Sequence, residues 1–402
     1  MSLSRNGNAL IIGGGIAGPV AALALRRAGI ASVVCEARPE EADSAGASLA
    51  IAPNGLAALR IVDAADAVTS VGQPIRTMIM SDGRGRQMGE FPALAGLPPS
   101  WVVNRQQLSG ILQDQAMAEG IRFMHGKRLI AVEQSPTRVT ARFADGTTES
   151  GDILIGADGI HSQVRTLIDP SAPPAQGVPL LNFGAVADIA VEAKPDAMYF
   201  IFGSGGFFGY WLQPDGRTAW FSNLPSPVRL EAAQARATAS SDWLRRLRDA
   251  YALDEPARTL IEHTSAEGLI VLGSMEIMPK LPLWHRGRMV LVGDSAHAPS
   301  SSSGQGASLA IESAIELARC LRDFDDFSQA FCAYERLRRR RVELVAARAA
   351  KTNHSKGFGP FARTLMRLLM PIATRTFMNA EKTLGAEQRY LIDWGQLVSG
   401  AD

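Results

Sequence analysis

The chain opens on an apolar strand, a glycine-rich turn and a helix, and this order strongly limits how it can fold. Residues 9–12 read Ala-Leu-Ile-Ile, and Gly13, Gly15 and Gly18 follow in Gly-x-Gly-x-x-Gly spacing. In this pattern Gly13 permits the tight turn, Gly15 lets a phosphate approach the backbone, and Gly18 lets the helix pack closely on the sheet. The N–H groups and dipole of such a helix N-terminus favour a pyrophosphate. The segment therefore predicts a βαβ unit that binds a dinucleotide.

An acidic residue completes this unit. Residues 31–35 predict a second strand, and Glu36 follows it directly, 18 residues beyond Gly18. A carboxylate at this position accepts hydrogen bonds from ribose hydroxyls, whereas an arginine would favour a 2′-phosphate. The acid therefore favours FAD or NAD over NADP in this particular site. A tight turn without a ligand is the alternative that a glycine triplet leaves open.

Charge and composition exclude several classes of protein. The 402 residues include 41 basic and 40 acidic side chains, which leaves no global field for nucleic acid or an acidic membrane. No uninterrupted apolar stretch reaches the roughly 20 residues of a membrane span, and glycines interrupt the only stretch resembling a signal peptide. Cys35, Cys320 and Cys332 share no metal-ligand spacing and are too few for a disulfide framework. We expect a cytoplasmic protein without a bound metal, whose thiols are buried or inert.

Two further motifs combine glycine with an acid. Asp158 lies in Gly-Ala-Asp-Gly after one predicted strand, and Asp294 lies in Gly-Asp-Ser-Ala-His after another. Gly-Gln-Gly at residues 304–306 then precedes a long predicted helix. Both carboxylates are expected at the carboxyl ends of buried strands, where open α/β sheets bind ligands. Each motif alone is also compatible with a capped turn, but their order and separation favour one shared site.

The middle of the chain predicts a second, β-rich domain. A stretch rich in proline and alanine, residues 171–185, is interpreted as the crossing into it. Alternating apolar residues and Gly- or Pro-Asp-Gly turns predict its strands. The predicted elements are a hairpin over 76–92, strands over 197–203, 207–212 and 218–223, and a helix near 230–250. Helices are also predicted over 306–321 and 327–350, and strands within 121–150.

Together these motifs resemble the single-component, para-hydroxybenzoate-hydroxylase-like flavoprotein monooxygenases, a family of aromatic hydroxylases, from about Leu10 to Ala350. The resemblance implies an α/β fold with a Rossmann-type FAD-binding domain, an inserted β-sheet substrate domain and a C-terminal helical segment. The implied boundaries are 1–75, 101–170 and 281–355 for the FAD domain, 76–100 and 171–280 for the substrate domain, and 356–402 for the C-terminal segment.

The resemblance also implies which residues bind FAD. The pyrophosphate would lie against the glycine turn, the adenosine ribose at Glu36, and the ribityl chain at Asp294. Arg105 would approach the pyrophosphate and ribityl side, and Asp158 would contact both FAD and NAD(P)H. The residues implied to bind the cofactor are Gly13, Gly15, Ala17, Gly18, Glu36, Arg38, Arg105, Asp158, Asp294, Gly304, Gln305 and Gly306.

The implied reaction uses NADH or NADPH as a transient reductant of FAD. Reduced flavin and O2 would form a C4a-hydroperoxide that hydroxylates a small aromatic or polyketide-like substrate. The absence of a second Gly-x-Gly-x-x-Gly unit fits the family, in which NAD(P)H has no Rossmann domain of its own. A closed apolar pocket is needed because water would release hydrogen peroxide. The pocket candidates are Phe202, Phe208, Tyr210 and Phe221, and the catalytic candidates are Tyr210, His297 and Pro299.

The chain departs from the family pattern at one segment and leaves alternatives open. Serines at 300–303 replace the usual proline pair, and this concerns the oxygen-side chemistry more than FAD binding. The alternatives are a flavin-dependent oxidoreductase without hydroxylation and a non-catalytic flavin-binding protein. The basic run formed by Arg336 and residues 338–341 is interpreted as a solvated face or as packing within the chain, with a nucleic-acid contact as the less favoured alternative. The apolar and basic segment 358–378 predicts packing on the FAD domain, a dimer face or a peripheral membrane contact. Monomer and homodimer both remain open.

Overall fold

The computed structural model describes residues 7–39, 47–356, 369–370, 374 and 379–399, in which the strands form four sheets. The strands are β1 (Asn8–Ile12), β2 (Ala31–Cys35), β3 (Ser48–Ile51), β4 (Gln73–Ile75), β5 (Thr77–Asp82), β6 (Gln87–Pro92), β7 (Ser100–Asn104), β8 (Arg122–Met124), β9 (Leu129–Gln134), β10 (Val139–Phe143), β11 (Thr148–Gly151), β12 (Ile153–Gly156), β13 (Gln176–Ala187), β14 (Ala197–Phe202), β15 (Phe207–Leu212), β16 (Thr218–Pro225), β17 (Ile270–Ile277), β18 (His285–Arg286) and β19 (Met289–Leu291). The helices are α1 (Ala17–Arg27), α2 (Pro53–Ile61), α3 (Ala65–Val71), α4 (Arg105–Ala118), α5 (Gln163–Ile168), α6 (Ala232–Ala237), α7 (Ser240–Ala250), α8 (Ala257–Glu262), α9 (Gly306–Asp323), α10 (Phe327–Lys356) and α11 (Ala380–Gln388).

A six-stranded sheet, in the order β18-β19-β12-β1-β2-β8, carries the glycine motifs. All neighbours pair in parallel except β18 with β19. Its central strands are buried on both faces, as their continuous apolar runs require. Ile12 of β1 lies opposite Gly156 of β12, which in turn lies opposite Leu291 of β19. The three strands therefore end side by side, and the motifs that follow them meet at one sheet edge.

A seven-stranded sheet, in the order β17-β13-β16-β15-β14-β5-β6, forms the second layer. One of its faces packs under α6, α7 and α8 in a separate core that includes Trp220, Trp243 and Leu247. On the opposite face, Trp211 and Ala219 pack with Val102 of β7. Strand β7 pairs with β3 and β4 in a three-stranded sheet. The second face of the large sheet therefore meets the strand that leads into α4.

Several sequence-based predictions are confirmed and others are wrong. The hairpin is β5–β6, and the strands near 197, 207 and 218 are β14, β15 and β16. The helix predicted over 230–250 is two helices, because Thr238 and Ala239 adopt extended backbone angles between α6 and α7. The proline- and alanine-rich stretch at 171–185 contains most of β13, a twelve-residue strand in the large sheet. The division into domains stays a prediction, which the sheet membership of β5 and β6 supports.

The C-terminal part is built on α9 and α10, which pack against each other. The basic run of α10 lies partly within the protein: Arg338 is fully buried and Arg341 nearly so, and both pair with Glu312, whereas Arg336 and Arg340 are exposed. This confirms packing within the chain for these two residues. Most of the segment 358–378 lies outside the described residues, as do the ends of the predicted C-terminal segment. No helix in the described part of the chain is both long and apolar enough to cross a membrane. Cys35 and Cys320 are buried free thiols, whereas Cys332 is exposed.

Candidate functional site

The glycine turn between β1 and α1 has the geometry that its spacing predicts. Gly13 adopts φ +110°, and a Cβ there would lie 2.4 Å from the Ala157 carbonyl oxygen. A Cβ at Gly18 would lie 1.9 Å from the Gly13 carbonyl oxygen. At Gly15, by contrast, no atom lies within 4 Å of where a Cβ would stand. Gly13 and Gly18 are therefore required by the fold itself, and Gly15 leaves open space beside the backbone.

Helix α4 holds this turn from the outside. Gln113 Nε2 donates to the Gly14 carbonyl oxygen at 2.6 Å, and Ser109 Oγ lies 3.3 Å from the Gly15 carbonyl oxygen. Helix α4 thus binds the turn through its carbonyl oxygens and not through its N–H groups. Helix α1 has no side-chain N-cap, so its first N–H groups are also without a capping partner. Sequence reasoning missed Ser109 and Gln113, which no motif marks.

Glu36 organises the same turn. Its carboxylate accepts hydrogen bonds from Gly14 N at 2.6 Å and from Arg38 N at 2.9 Å, one on each oxygen. A carboxylate has about four lone-pair sites, so two acceptor positions remain for ribose hydroxyls. Arg38 contributes its backbone N–H to Glu36, and its side chain is exposed. Ribose binding at Glu36 is compatible with this geometry and stays a prediction.

Asp158 is occupied by its own helix. Ser162 Oγ donates to Asp158 Oδ1 at 2.5 Å, and Gln163 N and Val164 N donate to Oδ2 at 2.8 and 3.1 Å. Burial raises the pKa of Asp158, while these hydrogen bonds act to lower it. Asp158 therefore forms the capped turn that its motif alone also allowed. Its contact with FAD and NAD(P)H stays a prediction.

A buried arginine joins the loops after β12 and β19. Arg165 is 6% exposed, and its guanidinium donates to the Ser295 carbonyl oxygen at 3.1 Å and to the Ile160 carbonyl oxygen at 2.7 Å. Ser295 Oγ in turn donates to the Gly156 carbonyl oxygen at 2.5 Å. These bonds fix the two acidic loops relative to each other. No motif in the sequence marks Arg165 as a residue that joins these loops.

Asp294 lies within electrostatic reach of Arg105. Burial raises the pKa of Asp294, and the positive charge of Arg105 partly opposes that shift. Among the described residues, none forms a hydrogen bond with the Asp294 carboxylate. Arg105 is exposed at the start of α4, where the Asn104 side chain caps the helix by accepting from Gln106 N. The structure thus brings together an unpartnered carboxylate and an accessible guanidinium that the sequence analysis had assigned to one ligand.

The Gly-Gln-Gly segment begins α9 at the same edge. Gly304 is left-handed, with φ +61°, and Gly306 has no atom within 4 Å of a Cβ position. The Gln305 side chain is 2% exposed, and its Oε1 accepts from Asn54 Nδ2 at 2.9 Å. The structure assigns no hydrogen-bond partner to Gln305 Nε2 within the described ranges. No side chain caps the N-terminus of α9.

These features fit a bound FAD. The open space at Gly15 and the free N–H groups of α1 suit a pyrophosphate, and the unpartnered Asp294 carboxylate suits the hydroxyls of a ribityl chain. The N-terminus of α9 suits the electron-rich pyrimidine edge of a flavin ring. The residues that would hold the cofactor therefore lie on the elements that meet at one sheet edge.

His297, one catalytic candidate, is a buried structural residue in this geometry. Its Nε2 lies 2.8 Å from Ser313 Oγ, and its ring lies 5.5 Å from that of Trp284. Burial and the nearby charge of Arg338 lower the pKa of His297 to about 3, so it is neutral at physiological pH. An imidazole held neutral inside the core is poorly suited to act as a general base at pH 7.

The serine segment at 300–303 is held in place by two elements. Ser300 Oγ donates to Asn353 Oδ1 of α10 at 2.7 Å and lies 3.0 Å from Met275 Sδ of β17. Ser302 Oγ also donates to Asn353 Oδ1, at 2.6 Å. Pro299, the third catalytic candidate, is half-buried just before this segment. The departure from the family pattern therefore forms an ordered turn with polar partners.

The proposed pocket residues lie on both faces of the large sheet. Phe208 and Tyr210 point into the core under α7 and α8, where Phe208 stacks on Trp220 at 5.2 Å and Tyr210 on Tyr199 at 4.8 Å. Side chains alternate along a strand, so Phe207 and Trp211 point the opposite way. Burial raises the pKa of Tyr210 well above its usual value, which keeps its hydroxyl protonated. Phe208 and Tyr210 therefore belong to the helix-covered core, and this packing does not support their assignment to the pocket or Tyr210 as a base.

Comparisons with known proteins agree with an FAD-binding site in this geometry. The family model described as "FAD binding domain" matches residues 7–349. An aurachin C monooxygenase/isomerase of Stigmatella aurantiaca is 30% identical over 345 residues, covering 84% of this chain and 86% of the relative. An FAD-dependent urate hydroxylase of Klebsiella pneumoniae is 31% identical over 350 residues, covering 85% and 88%.

A solved structure with bound FAD is also similar to this chain. The crystal structure of Klebsiella pneumoniae HpxO complexed with FAD and uric acid has a TM-score of 0.82 and 25% identity, and the match covers 95% of each chain. With these matches, the alternative of a non-catalytic flavin-binding protein has no support. The chain belongs to the para-hydroxybenzoate-hydroxylase-like family of flavoproteins and is an FAD-dependent monooxygenase.

Proposed function

We propose that this monooxygenase hydroxylates a small, uncharged aromatic or polyketide-like molecule, with NADH or NADPH as the transient reductant and O2 as the oxygen source. The observation that carries the proposal is an aromatic face on the large sheet, defined by Phe200, Phe202, Phe207 and Phe221. This face is turned away from the helix-covered core. Phe221 and Phe202 belonged to the pocket proposed from the sequence, and they remain in it.

The four rings of the aromatic face form one cluster. Phe207 lies 5.6 Å from Phe200, 5.2 Å from Phe202 and 6.1 Å from Phe221, measured between ring centroids. The Phe221 ring lies across Gly209, where a Cβ would stand 2.3 Å from Phe221 Cε1. Phe200, Phe202 and Phe221 are each only partly buried. Edge and face contacts with such rings favour a planar apolar ligand.

The aromatic face adjoins the cofactor cleft on two sides. Phe221 packs against the small cluster that contains Val102 of β7, and β7 leads directly to Arg105. On the other side, Met278 N donates to the Ala298 carbonyl oxygen at 2.9 Å, immediately before the half-buried Pro299. These contacts support a position of the large sheet next to the two elements expected to border the flavin.

Within β13, β14, β15 and β16 the polar groups of this face are amides, and the carboxylate of Asp82, opposite Phe202 on β5, is bound by the backbone N–H groups of Arg84 and Arg86. Asn223 Nδ2 donates to Asn182 Oδ1 at 2.6 Å, and both residues share the face of Phe221 by strand register. The inward positions of β13, β14, β15 and β16 on this side carry no ionisable side chain. An anionic substrate would lose its hydration without gaining a partner here. A neutral ring with hydroxyl or carbonyl groups fits better, because amides donate and accept.

The roles of bound FAD and of the protein follow from these contacts. Bound FAD supplies the redox chemistry, accepting hydride from NAD(P)H and activating O2. The chain binds the phosphates at the glycine turn, orients the ring at α9, and excludes water with the aromatic face. No side chain in the described part of this face is positioned as a general base, so we assign none.

The test is a ligand screen on the purified, FAD-loaded protein. The bleaching of the 450 nm flavin band by NADH or NADPH is followed without oxygen, with neutral polycyclic phenols compared with benzoate and urate. We expect a neutral ligand to accelerate reduction and, in air, to gain one oxygen atom. Acceleration by the anions alone would contradict the neutral pocket, and peroxide as the sole product with every ligand would favour an oxidoreductase without hydroxylation.

A matched pair of variants locates the pocket. Phe221→Leu removes a ring from the aromatic face, and Phe208→Leu removes one from the opposite, helix-covered face. We expect Phe221→Leu to raise KM for the active ligand at least fivefold, while Phe208→Leu lowers stability and leaves KM within twofold. A change in KM of equal size in both variants would refute the assignment of the face.

A further inference from the structure

A buried polar chain lies directly behind the start of α9. Asn54, Gln305 and Glu312 are 1%, 2% and 0% exposed. Asn54 Nδ2 lies 2.9 Å from Gln305 Oε1 and 2.6 Å from Glu312 Oε1. Asn54 lies in α2, 251 residues from Gln305 in sequence. Three buried polar side chains from two helices thus converge behind the flavin end of the proposed cleft.

The carboxylate of Glu312 determines which way both amides point. Burial alone would raise the pKa of Glu312, but the charges and hydrogen bonds of Arg338 and Arg341 outweigh it, so the pKa is lowered. Arg338 donates to Glu312 at 2.7 Å, and Arg341 donates through two nitrogens at 2.8 Å each. An ionised carboxylate only accepts hydrogen bonds. Asn54 must therefore present its NH2 group to Glu312, and the same NH2 group reaches Gln305.

This orientation passes on to Gln305. Because Gln305 Oε1 accepts from Asn54, its NH2 group is turned away from the buried chain. Gln305 Nε2 forms no hydrogen bond in the described part of the chain. Unlike the enclosed polar atoms without a partner, it is not fully covered by protein. Asn54 Oδ1, in contrast, is enclosed and without a partner. An unpartnered buried acceptor costs about 1–3 kcal/mol. Here the cost follows from the requirement that Asn54 present its NH2 group to Glu312.

We propose that Asn54 and Glu312 are positioning residues that fix the Gln305 amide with its NH2 group toward the pyrimidine edge of the bound flavin. Two-electron reduction places negative charge on that edge. A donor held in place there therefore favours the reduced cofactor. The inference rests on FAD binding and not on the proposed substrate, so its test needs no substrate turnover.

The primary variant is Asn54→Leu, which keeps the side-chain volume and removes the donor. The readouts are the midpoint potential of bound FAD, measured against a reference dye, and the flavin absorption spectrum. We expect the equilibrium constant for two-electron reduction to fall about tenfold, which corresponds to about 30 mV. Gln305→Leu should give the same shift, and the double variant should show no further one.

Controls separate this role from general stability. Ser313→Ala removes a buried hydroxyl that bonds His297 and Arg338 without touching Asn54 or Gln305. We expect it to lower Tm and to leave the flavin potential unchanged. Should Asn54→Leu fail to fold, Asn54→Ser retains a polar group that is too short to span both partners, and a similar fall is expected. A reduction constant within twofold of the parent in the folded Asn54 variant, or additive shifts in the double variant, would overturn the proposal.

Discussion

Replacing Gly15 with alanine should separate FAD binding from folding. The space around a Cβ at Gly15 is empty to 4 Å, and its φ lies outside the left-handed region. Alanine therefore causes neither a clash nor backbone strain in the protein without cofactor. We expect its free energy of unfolding to stay within about 0.5 kcal/mol of the parent.

The cost should appear only when FAD binds. A methyl group at Gly15 fills the space through which the pyrophosphate approaches the N–H groups of the turn. Losing two hydrogen bonds to a charged group costs about 3–6 kcal/mol, at about 1.5–3 kcal/mol each. Since about 1.4 kcal/mol is a factor of ten, the affinity for FAD should fall at least about a hundredfold.

Gly18→Ala provides the contrast. Its Cβ would lie 1.9 Å from the Gly13 carbonyl oxygen, so α1 must move away from the turn. We expect a loss of about 1–3 kcal/mol or more in stability before any cofactor is added. Urea unfolding of the apoprotein and FAD titration by quenching of flavin fluorescence measure the two quantities separately. A Gly15→Ala protein that binds FAD within threefold of the parent would refute the position assigned to the pyrophosphate.

Three more predictions follow from packing and burial. Asp294→Asn should stabilise the apoprotein at pH 7, because burial raises the pKa of this unpartnered carboxylate. The same change should weaken FAD binding about tenfold or more. Urea unfolding measures the first effect, and titration with FAD measures the second. The pKa of His297 is lowered to about 3, so the free energy of unfolding should fall by up to about 1.4 kcal/mol per pH unit as the pH drops from 6.5 toward 3. Urea unfolding across that range should show a smaller dependence on pH in His297→Gln than in the parent protein. Gly209→Ala should cost about 1–3 kcal/mol by displacing the Phe221 ring and should raise KM for the active ligand, and unchanged steady-state kinetics would contradict it.

The N-terminal unit was predictable because its signals are steric and local. Gly13 and Gly18 are required by contacts with Ala157 and with each other, and such contacts admit no side chain at either position. The apolar runs of β1 and β2 are continuous because both faces of the sheet are covered. Short-range physics therefore decides this part of the fold, and the sequence pattern expresses it directly.

Strand β13 was not predictable on the same basis. Pro179 and Gly184 interrupt its alternation, which made the stretch look like a linker. The strand forms because β16 and β17 pair with it on both sides, and Gly184 lies opposite Phe221. Its partners come from parts of the chain that are tens of residues away. Tertiary pairing overrides local propensity at such positions.

The two faces of β15 show a similar limit. Alternation in the sequence predicts that Phe208 and Tyr210 share a face, and they do. It does not say which of the two faces is covered by helices, and the candidates named from the sequence came from both faces. The coverage depends on where α7 and α8 pack, and Trp243 and Leu247 of α7 belong to the same buried cluster as Phe208. Long-range packing thus decides which aromatic residues are available to a substrate.

Asp158 and Asp294 occupy similar positions in sequence, each after a buried strand and beside glycine, yet they differ in what reaches them. Three donors bind the Asp158 carboxylate, and none among the described residues binds that of Asp294. A half-buried carboxylate without donors costs stability, and a ligand with hydroxyl groups would supply the missing donors. The motif places an acid at the sheet edge in both cases. Only the packing around each acid shows that the fold provides donors to Asp158 and leaves the carboxylate of Asp294 available to a ligand.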